Sequence, residues 1–284
     1  MIKPRAVALT DLEVLRWDLR QDCVDIIMAG GGGHIGGDMS VIDILMTLYL
    51  RHLNVSPETV DHPDRDRFVL SKGHAMEAYY AVLCHQGFLD LDDVKARFSK
   101  FGSPYIGHPN NKLPGIGMNS GSLGHGLPVA IGMALAAKMD HRDYRVYTIM
   151  GDGELAEGSV WEGAMAGPNF GLDNLCAIVD RNRLQISGST EDVMVQDSQE
   201  ERWAAFGWNV ISIDGNDLTA IDAALTLAAE TKGKPTAIIA NTIKGYGSPV
   251  MENKAPWHHQ LPNAEQYAQI TADFAARKEA VLRG

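Results

Sequence analysis

The chain has 284 residues, of which 45% are hydrophobic and 21% charged, and its formal net charge is −11 at pH 7. A chain of this length and apolar content can bury a substantial core, so we expect one large domain over residues 1–284. The acidic balance argues against a nucleic-acid-binding protein, because affinity for a phosphate backbone depends on clustered lysine and arginine. Local groups must therefore hold any anionic ligand.

Three cysteines, Cys23, Cys84 and Cys176, stand singly within apolar segments, without a CxxC pair. This pattern argues against a disulfide framework and against a structural zinc site. The longest uncharged apolar run lies around VAIGMALAA, which is far short of the roughly 20 residues that span a membrane. We expect a protein of a reducing compartment, the cytoplasm, that binds neither membrane nor nucleic acid.

Both ends of the chain carry helical patterns. Apolar residues recur at helical spacing over 11–29 and lead into the glycine cluster AGGGGHIGG, which should end the first helix. A second helix is expected to begin at Ser40, where Asp43 three positions later completes a pattern similar to a capping box. The last helix should begin after Asn263 as N-cap, with Gln266 at the third helical position, and run almost to the end of the chain.

The middle of the chain alternates between short β-type runs and helical patterns. The β-type runs are RFVL (67–70), RVYTIM (145–150), LCAIV (175–179), WNVISI (208–213) and TAIIA (236–240). Helical patterns separate them over 127–139, 198–206 and 217–232. Because the runs are continuously apolar rather than alternating, they indicate a parallel sheet buried between helices. The predicted fold class is α/β, with a mostly parallel sheet and helices on both faces.

A glycine-flanked carboxylate follows one of these runs, in the segment YTIMGDGELAEG (147–158). Alone, the Asp152–Gly153 pair is ordinary turn chemistry, but Asn182 follows the next β-type run at a similar position. If the two runs are neighbouring strands, both side chains lie at the carboxyl edge of the sheet, where ligands bind in such folds. A carboxylate and an amide oxygen suit Mg²⁺ with phosphate oxygens and water. Main-chain N–H groups at Gly151 and Gly153 should reach the same phosphates.

The segment from Gly151 to Asn182, GDGELAEGSVWEGAMAGPNFGLDNLCAIVDRN, resembles the thiamine diphosphate motif, with Arg181 where many members have Asn or Asp. Five further short motifs accompany it: GGGGHIGG (30–37), SKGHA (71–75), GHP (107–109), GSLGHG (121–126) and WHH (257–259). In this order, the motifs resemble the N-terminal region of transketolases over nearly the full chain, and more narrowly the separate N-terminal subunit of a split bacterial transketolase. Ile35 replaces a proline common in the larger single-chain members, as in split forms, and His125 stands where Gln is frequent.

The transketolase resemblance implies bound thiamine diphosphate and Mg²⁺, with Ca²⁺ or Mn²⁺ able to substitute. The implied metal ligands are Asp152, Asn182 and the main-chain carbonyl of Leu184. The residues implied to bind the cofactor are His74, Gly121, Leu123, Gly151, Asp152, Gly153, Glu157, Asn182 and Ile186. Among them, Ile186 would pack against the cofactor, and Glu157 would lie at a subunit interface.

Four of the ten histidines stand beside glycine, proline or tryptophan in loops, where functional residues concentrate. They are His34, His74, His108 and His258. Transketolases move a two-carbon unit from a ketose donor to an aldose acceptor, and imidazoles suit the required proton transfers because their pKa lies near working pH. By resemblance, His34, His108 and His258 would surround the ketose oxygens, and His74 would be shared with the cofactor. His259 is a less favoured substitute for His258.

The resemblance also implies an incomplete site. In transketolases a further domain binds the aminopyrimidine of the cofactor and supplies the glutamate that activates it, and this sequence ends at Gly284 without that domain. We therefore expect a partner subunit that carries the pyrimidine-binding domain, in an α₂β₂ assembly, with sugar phosphates as substrates. An apolar face for this partner could lie at the glycine cluster and at 158–166, although burial of Trp161 in the domain's own core is the simpler interpretation.

Other functions stay open at this point. A 2-oxo acid dehydrogenase α-subunit or a deoxyxylulose phosphate synthase-like enzyme could share the GDG and Asn pattern, although the histidine set and WHH favour transketolase. A non-catalytic assembly subunit would have little physical reason to keep costly polar groups at one cleft. A generic nucleotide-binding domain is disfavoured because the GxxxxGK(S/T) and GxGxxG patterns are missing. The substrate could be an ordinary pentose phosphate, a sulfosugar or a branched sugar.

Overall fold

A parallel sheet forms the centre of the computed structural model, which describes residues 7–284. The strands are β1 (Arg67–Leu70), β2 (Val146–Gly151), β3 (Leu175–Arg181), β4 (Leu184–Gln185), β5 (Gly188–Ser189), β6 (Asn209–Asp214) and β7 (Thr236–Asn241). Five of them form the sheet in the order β1-β2-β3-β7-β6, with every neighbouring pair parallel, and β4 with β5 forms a short antiparallel hairpin. All five β-type runs of the sequence belong to the sheet, which confirms the predicted fold class.

Helices cover both faces of the sheet. They are α1 (Leu9–Gly30), α2 (Ile35–Thr47), α3 (Met76–His85), α4 (Leu91–Arg97), α5 (Gly126–Met139), α6 (Gly158–Asn169), α7 (Thr190–Val193), α8 (Gln199–Ala205), α9 (Leu218–Glu230) and α10 (Ala264–Arg283). A π-helical segment, Leu48–His52, extends α2, and short 3₁₀ segments occupy Pro57–Thr59, Gly153–Ala156 and Ala255–His258. Among residues 7–284, no helix combines the length and the apolar character needed to pass through a bilayer.

The strands β2 and β3 are buried along their whole length. Tyr147 and Ile149 of β2 belong to the apolar cluster formed with α1, α2 and α3, whereas Val146 and Met150 belong to the cluster formed with α5 and α6. Alternate residues thus enter opposite layers, which explains why these strands are continuous apolar runs in the sequence. The polar residues Asp152 and Asn182 follow where these buried strands end.

The glycine cluster ends α1 as predicted. Gly31 adopts a left-handed conformation with φ 77°, which glycine accepts without steric cost, and its N–H donates to Ile27 O at 3.0 Å. The chain then turns and enters α2 at Ile35, with His34 at the N-cap position. His34 is therefore placed between two packed helices.

The predicted capping box at Ser40 is wrong, because α2 begins earlier, at Ile35. Ser40 and Asp43 lie inside the helix and are fully buried. Ser40 Oγ donates to Asp180 Oδ2 at 2.6 Å, and Asp43 accepts from two guanidinium groups of α1. These partners come from distant parts of the chain, so a rule based on local capping cannot detect them.

The helix α6 carries Trp161 inward, as the simpler of the two interpretations predicts. Its indole N–H donates to Leu155 O at 2.8 Å, and its ring centroid lies 5.6 Å from that of Trp203. On the outside, Met165 of α6 is 55% exposed. The apolar side chains of α6 are thus divided between the core and the surface.

The last helix, α10, begins with the predicted capping box. Asn263 Oδ1 accepts from Gln266 N at 2.9 Å, and Gln266 Oε1 accepts from Asn263 N at 3.0 Å. Ile270 and Phe274 of this helix are buried in the apolar cluster that includes α1. Helix α10 therefore closes the same face of the sheet as α1.

Candidate active site

The neighbouring strands β2 and β3 bring the predicted metal ligands to one edge of the sheet. Their register pairs Gly151 with Asp180, so Asp152 and Asn182 both follow at the carboxyl edge. Arg183 N, next to Asn182, donates to Asp152 Oδ2 at 2.5 Å. Both side chains line one cavity of about 310 Å³, which we call the strand-edge cavity. The sequence analysis placed both side chains at one edge on the condition that their β-type runs form neighbouring strands, and β2 and β3 are neighbours.

The strand-edge cavity collects most of the residues singled out in the sequence. Those that line it are His34, His74, Gly121, Leu123, Gly151, Asp152, Gly153, Asn182, Leu184, Ile186 and His258. His108 lies outside this lining, but its ring centroid is 6.0 Å from that of His34. Glu157 is not brought into the cavity and is exposed at the N-terminus of α6. Loops that are far apart in the sequence therefore meet here.

Gly121 joins His108 to the cavity wall. A Cβ built on Gly121 would lie 2.5 Å from His108 Cδ2, and φ at Gly121 is 133°. The close ring and the backbone conformation therefore both require glycine at this position. The imidazole of His108 packs directly on a residue that lines the cavity.

Asp152 is a buried carboxylate that hydrogen-bonds only to main-chain groups of the described residues. It is 2% exposed, and its oxygens accept from Gly153 N at 2.8 Å and from Arg183 N at 2.5 Å. Burial and the nearby Asp180 raise its pKa to about 6. A cation bound in the cavity would favour the ionised form and offset part of the cost of burial.

The N–H groups of Gly151 and Gly153 are used within the turn that follows β2. Gly151 N donates to Glu154 Oε2 at 3.1 Å, and Gly153 N donates to Asp152 Oδ1. Glu154 is itself buried and also accepts from Gly124 N at 2.8 Å. The expectation that these two N–H groups point at phosphates is therefore not met in this structure, because buried carboxylates of the same turn accept from them.

Lys72 belongs to this site, although the sequence analysis did not single it out. It is 1% exposed and donates to Asp180 Oδ2 at 2.5 Å and to Gly37 O at 3.0 Å. This buried ion pair joins the SKGHA segment, the start of α2 and the end of β3. A charged residue two positions after the apolar strand β1 was the available signal in the sequence.

Lys244, in the loop after β7, is a second lysine that the sequence analysis missed. Its Nζ donates to Leu184 O at 2.9 Å and lies 2.8 Å from His258 Nδ1. Burial and the neighbouring Lys72 lower its pKa to about 8. When Lys244 is charged it can only donate, so His258 Nδ1 accepts and the proton of the ring lies on Nε2.

The histidine rings form a group beside these oxygen atoms. The centroid of the His34 ring lies 5.3 Å from that of His74, 5.6 Å from His258 and 4.5 Å from His259. Burial, neighbouring imidazoles and lysines lower the pKa of His34 to about 4 and that of His258 to about 3, and lower the pKa of His74 well below its usual value. These three imidazoles are neutral at pH 7, so each can donate one hydrogen bond and accept another.

Nitrogen atoms of His34, His258 and His259 lie within 4.8 Å of one another, a spacing that raises the question of a metal ion. The positive charges of Lys72 and Lys244 argue against a cation here, since both lower the pKa of His34 and His258. A neutral or anionic ligand is favoured beside the histidines. A cation is favoured at the carboxylate end of the cavity instead.

The residues of the strand-edge cavity fit a metal-bound diphosphate cofactor. Asp152, Asn182 and Leu184 offer a carboxylate, an amide oxygen and a main-chain oxygen, which are the ligand types that Mg²⁺ prefers. Asn182 Oδ1 accepts from Leu184 N at 3.1 Å, and Leu184 O accepts from Lys244. Each of these oxygens keeps a second lone pair for a metal. Ile186, which is 64% exposed, adds an apolar surface.

Comparison with known proteins decides the family. Residues 15–279 match the family described as transketolase, thiamine diphosphate binding domain. The chain belongs to this transketolase family. The resemblance drawn from the six sequence motifs is confirmed.

Two proteins named as transketolase subunits are similar to this chain over most of both sequences. The relative from Phocaeicola vulgatus, one subunit of an apulose-4-phosphate transketolase, is 47% identical over 260 residues, which are 92% of each chain. The 6-deoxy-6-sulfo-D-fructose transketolase subunit of a Clostridium species is 40% identical over 245 residues, 86% of this chain and 89% of the relative. The chain thus corresponds to relatives that are each named as one subunit of a transketolase.

Solved transketolase structures share the fold. The transketolase from Leishmania mexicana has a TM-score of 0.85 at 30% identity, over 98% of this chain and 44% of its own. The transketolase from Campylobacter jejuni has a TM-score of 0.87 at 29% identity, over 95% of this chain and 45% of its own. This chain therefore spans less than half the length of these two transketolases.

Proposed function

We propose that this chain is the cofactor-binding N-terminal subunit of a heteromeric transketolase, which transfers a two-carbon ketol unit from a ketose donor to an aldose acceptor. One observation carries the proposal: a buried, oxygen-rich site for a cation and a group of neutral imidazoles share one cavity. A metal-bound diphosphate needs the first, and a polyhydroxylated sugar needs the second. The family match and the names of the relatives support the same reaction class.

In this proposal Asp152, Asn182 and the carbonyl of Leu184 hold Mg²⁺, for which Ca²⁺ or Mn²⁺ can substitute. Gly151 and Gly153 let the diphosphate approach the turn closely, because they carry no side chain. Thiamine diphosphate, when bound, would supply a nucleophilic carbon for addition to the ketose carbonyl. The contribution of the chain at this end is to bind and orient the group through its metal.

His34, His108 and His258 are proposed to contact the oxygens of the ketose, with His74 between the sugar and the cofactor. A neutral imidazole can donate to an oxygen that gains negative charge and can take the proton of a hydroxyl group. The contact with Lys244 supports a donor role for Nε2 of His258. Several histidines are needed because several hydroxyl groups of one sugar must be held at once.

A partner polypeptide completes the proposed site. Two relatives are each named as one lettered subunit of their transketolase, which supports a second polypeptide, and we infer that it carries the pyrimidine-binding domain and the activating glutamate. An α₂β₂ assembly would place Glu157 at a subunit interface, and the exposed Ile186 and Met165 offer apolar surface for contact.

Sugars with an anionic group are the proposed substrates. One relative is named for apulose 4-phosphate and another for 6-deoxy-6-sulfo-D-fructose. We infer that this chain handles the carbonyl end of such a sugar, where the histidines lie, and that the partner subunit contacts the anionic end. Which of these sugars is used would then be set mainly by the partner.

Three free thiols fit a cytoplasmic location for this enzyme. Cys23, Cys84 and Cys176 form no disulfide, and Cys23 and Cys176 are buried. Unpaired cysteines are typical of a reducing compartment. We therefore propose the cytoplasm as its location.

Mixing the purified chain with its partner subunit, thiamine diphosphate and Mg²⁺ tests the proposal. We expect ketol transfer from a ketose phosphate to an aldose only when both subunits are present. The hydrodynamic mass of the mixture should also exceed that of either subunit. A panel of pentose phosphates, branched sugar phosphates and sulfosugars identifies the substrate, with 2-oxo acids as the control. Decarboxylation of a 2-oxo acid without ketol transfer would favour the 2-oxo acid dehydrogenase alternative. Cofactor binding without turnover would favour an assembly role, and ketol transfer by this chain alone would contradict the need for a partner.

A further inference from the structure

A buried pair of carboxyl groups lies behind the histidine loops. Asp38, in the first turn of α2, and Glu77, in the first turn of α3, are both 0% exposed. Asp38 Oδ1 accepts from Ala78 N at 3.0 Å, but no donor group of another described residue reaches Asp38 Oδ2 or either oxygen of Glu77. Three buried carboxyl oxygens thus lack the donor that buried polar atoms require.

One shared proton supplies a donor for one of these three oxygens, because it is carried by one carboxyl group and donated to the other. The two side chains lie within hydrogen-bonding reach of each other, and two ionised carboxylates would repel strongly in this dry environment. Burial raises the pKa of Asp38 to about 7, and burial together with the charge of Asp38 raises that of Glu77 well above its usual value. A protonated Glu77 can then donate to an ionised Asp38. The single remaining negative charge lies at the N-terminal ends of two helices, where main-chain dipoles favour it.

Glu77 also touches the two loops that carry His34 and His108. A Cβ built on Gly33 would lie 2.8 Å from Glu77 Oε1, and a Cβ built on Gly107 would lie 3.9 Å from the same atom. Gly33 directly precedes His34 in the sequence, and Gly107 directly precedes His108. The carboxyl group of Glu77 therefore occupies the space where a side chain at position 33 would lie, and it lies near Gly107.

We propose that Asp38 and Glu77 share one proton and that this hydrogen-bonded pair is a positioning element, which holds the loops of His34 and His108 at the spacing that the sugar site needs. Neither residue lines the strand-edge cavity, so the pair acts through the two histidines and touches neither cofactor nor substrate. Its effect on turnover rests on the proposed transketolase function. The shared proton does not, and it can be tested in the chain alone.

Three groups outside the pair face it. Lys72, from the SKGHA segment, Cys23 of α1 and Tyr80 of α3 interact with it electrostatically. Burial raises the pKa of Cys23 well above its usual value and also raises that of Tyr80, so both are neutral below pH 8. Lys72 is paired with Asp180. Asp152, whose pKa is about 6, also titrates between pH 5 and 7, so the pair is read from the difference between two proteins that both keep Asp152.

A stability profile over pH tests the shared proton. The pKa values of the folded pair lie above the unfolded values of 3.8 and 4.5, so the stabilisation is complete at low pH and is lost as pH rises toward 7. The matched control is the Asp38→Asn/Glu77→Gln double variant, which keeps an amide donor between the two side chains and cannot titrate. Relative to this control, the unfolding constant of the wild type should rise by about tenfold per pH unit near pH 7, where the folded pair keeps one proton that the unfolded chain has lost, and more steeply at lower pH where the folded pair keeps both. Parallel profiles would overturn the shared proton.

Turnover with the partner subunit tests the positioning role. Glu77→Gln keeps a donor toward Asp38 and should stay within about twofold of wild-type kcat, whereas Glu77→Leu keeps the bulk but leaves Asp38 without its donor and should lose about tenfold or more in kcat with unchanged cofactor affinity. NMR of the His34 ring in the chain alone gives a readout that needs neither turnover nor the Leu variant. Its resonances should shift further between pH 5 and 7 in the wild type than in the double amide variant, in which Asp152 still titrates.

Wild-type turnover by Glu77→Leu, or a His34 spectrum that follows pH equally in both proteins, would overturn the positioning role. Failure of the proposed function gives a different result. In that case the wild-type mixture shows no ketol transfer, while the stability profile and the His34 spectrum still report the state of the pair.

Discussion

Two buried aspartates, Asp43 and Asp152, differ in what neutralises them. Asp43 is fully buried and accepts from Arg16 Nε at 3.0 Å and from Arg20 Nη1 at 2.8 Å. Asp152 is 2% exposed, yet it accepts only from main-chain N–H groups of the described residues. Burial acts to raise the pKa of both, but the two arginines lower that of Asp43 to about 2, whereas Asp180 helps burial to raise that of Asp152 to about 6.

The difference separates a structural charge from a functional one. The arginines of Asp43 belong to the fold, and the cluster joins α1 to α2 away from the strand-edge cavity. Asp152 lines the cavity together with Asn182 and has no such partner. A cation ligand would offset the cost of burying this carboxylate without a counter-ion, and binding such a cation is the role we propose for Asp152.

Replacing Asp152 with Asn should abolish the proposed metal binding and reduce activity. The amide keeps the size of the side chain but carries no charge for the metal, so kcat/KM in the assembled enzyme should fall about 10³-fold or more. In thermal melts, Mg²⁺ with thiamine diphosphate should no longer stabilise the variant. The ligand-free chain should not lose stability at pH 7, because removing the unpaired buried charge offsets the loss of an acceptor for one N–H group.

The control for this experiment is Asp140→Asn, which changes an exposed aspartate at the end of α5. It should keep both turnover and stabilisation by the ligands. Full stabilisation of Asp152→Asn by Mg²⁺ and cofactor would mean that the cation lies elsewhere.

Replacing Asp43 with Asn should destabilise the fold without affecting the proposed site. Arg16 and Arg20 would keep two buried positive charges without their counter-ion, so the free energy of unfolding should fall by about 3 kcal/mol. Denaturant unfolding measures this loss. Cofactor affinity of the folded chain should stay unchanged, and a variant as stable as the wild type would show that the arginines find other acceptors.

The histidine group sharpens the comparison, because it tests groups that are kept neutral rather than charged. His34→Ala and His108→Ala should each lower kcat/KM about 10²-fold or more, since each ring is proposed to hold an oxygen whose charge changes during the reaction. Their affinity for thiamine diphosphate should change little. His85→Ala, at the exposed end of α3, is the matched control, and near-normal turnover by either site variant would exclude the proposed role.

Much of the fold follows from local apolar patterns. The runs that form β2 and β3 are recognisable because both faces of each strand are buried, which leaves no polar alternation to confuse them with surface strands. Their order in a parallel sheet then places Asp152 and Asn182 at one edge. The shared position of Asp152 and Asn182 was therefore predictable from the sequence, whereas the proposed roles of the histidines came from the resemblance of the motifs.

What the sequence does not predict are polar contacts between distant segments. Lys72 and its partner Asp180 are 108 positions apart, and Ser40 contacts the same Asp180 rather than capping a helix. The pairing of Asp38 with Glu77 likewise depends on how α2 packs on α3. No local rule gives these contacts, because each exists only after tertiary packing.

Lys244 offers the finest test of the comparison. It is a buried cation that lines the strand-edge cavity, whereas Arg16 and Arg20 lie outside it. Lys244→Met keeps the length of the side chain but removes the donor to His258 and Leu184, so kcat/KM should fall about tenfold. Lys234→Met, at an exposed position before β7, should have no effect. A loss confined to kcat would place the main role of Lys244 at His258, where it orients the ring. A loss confined to cofactor affinity would place it at Leu184, where its hydrogen bond orients the carbonyl oxygen. Unchanged turnover would show that His258 keeps its orientation without the ammonium group.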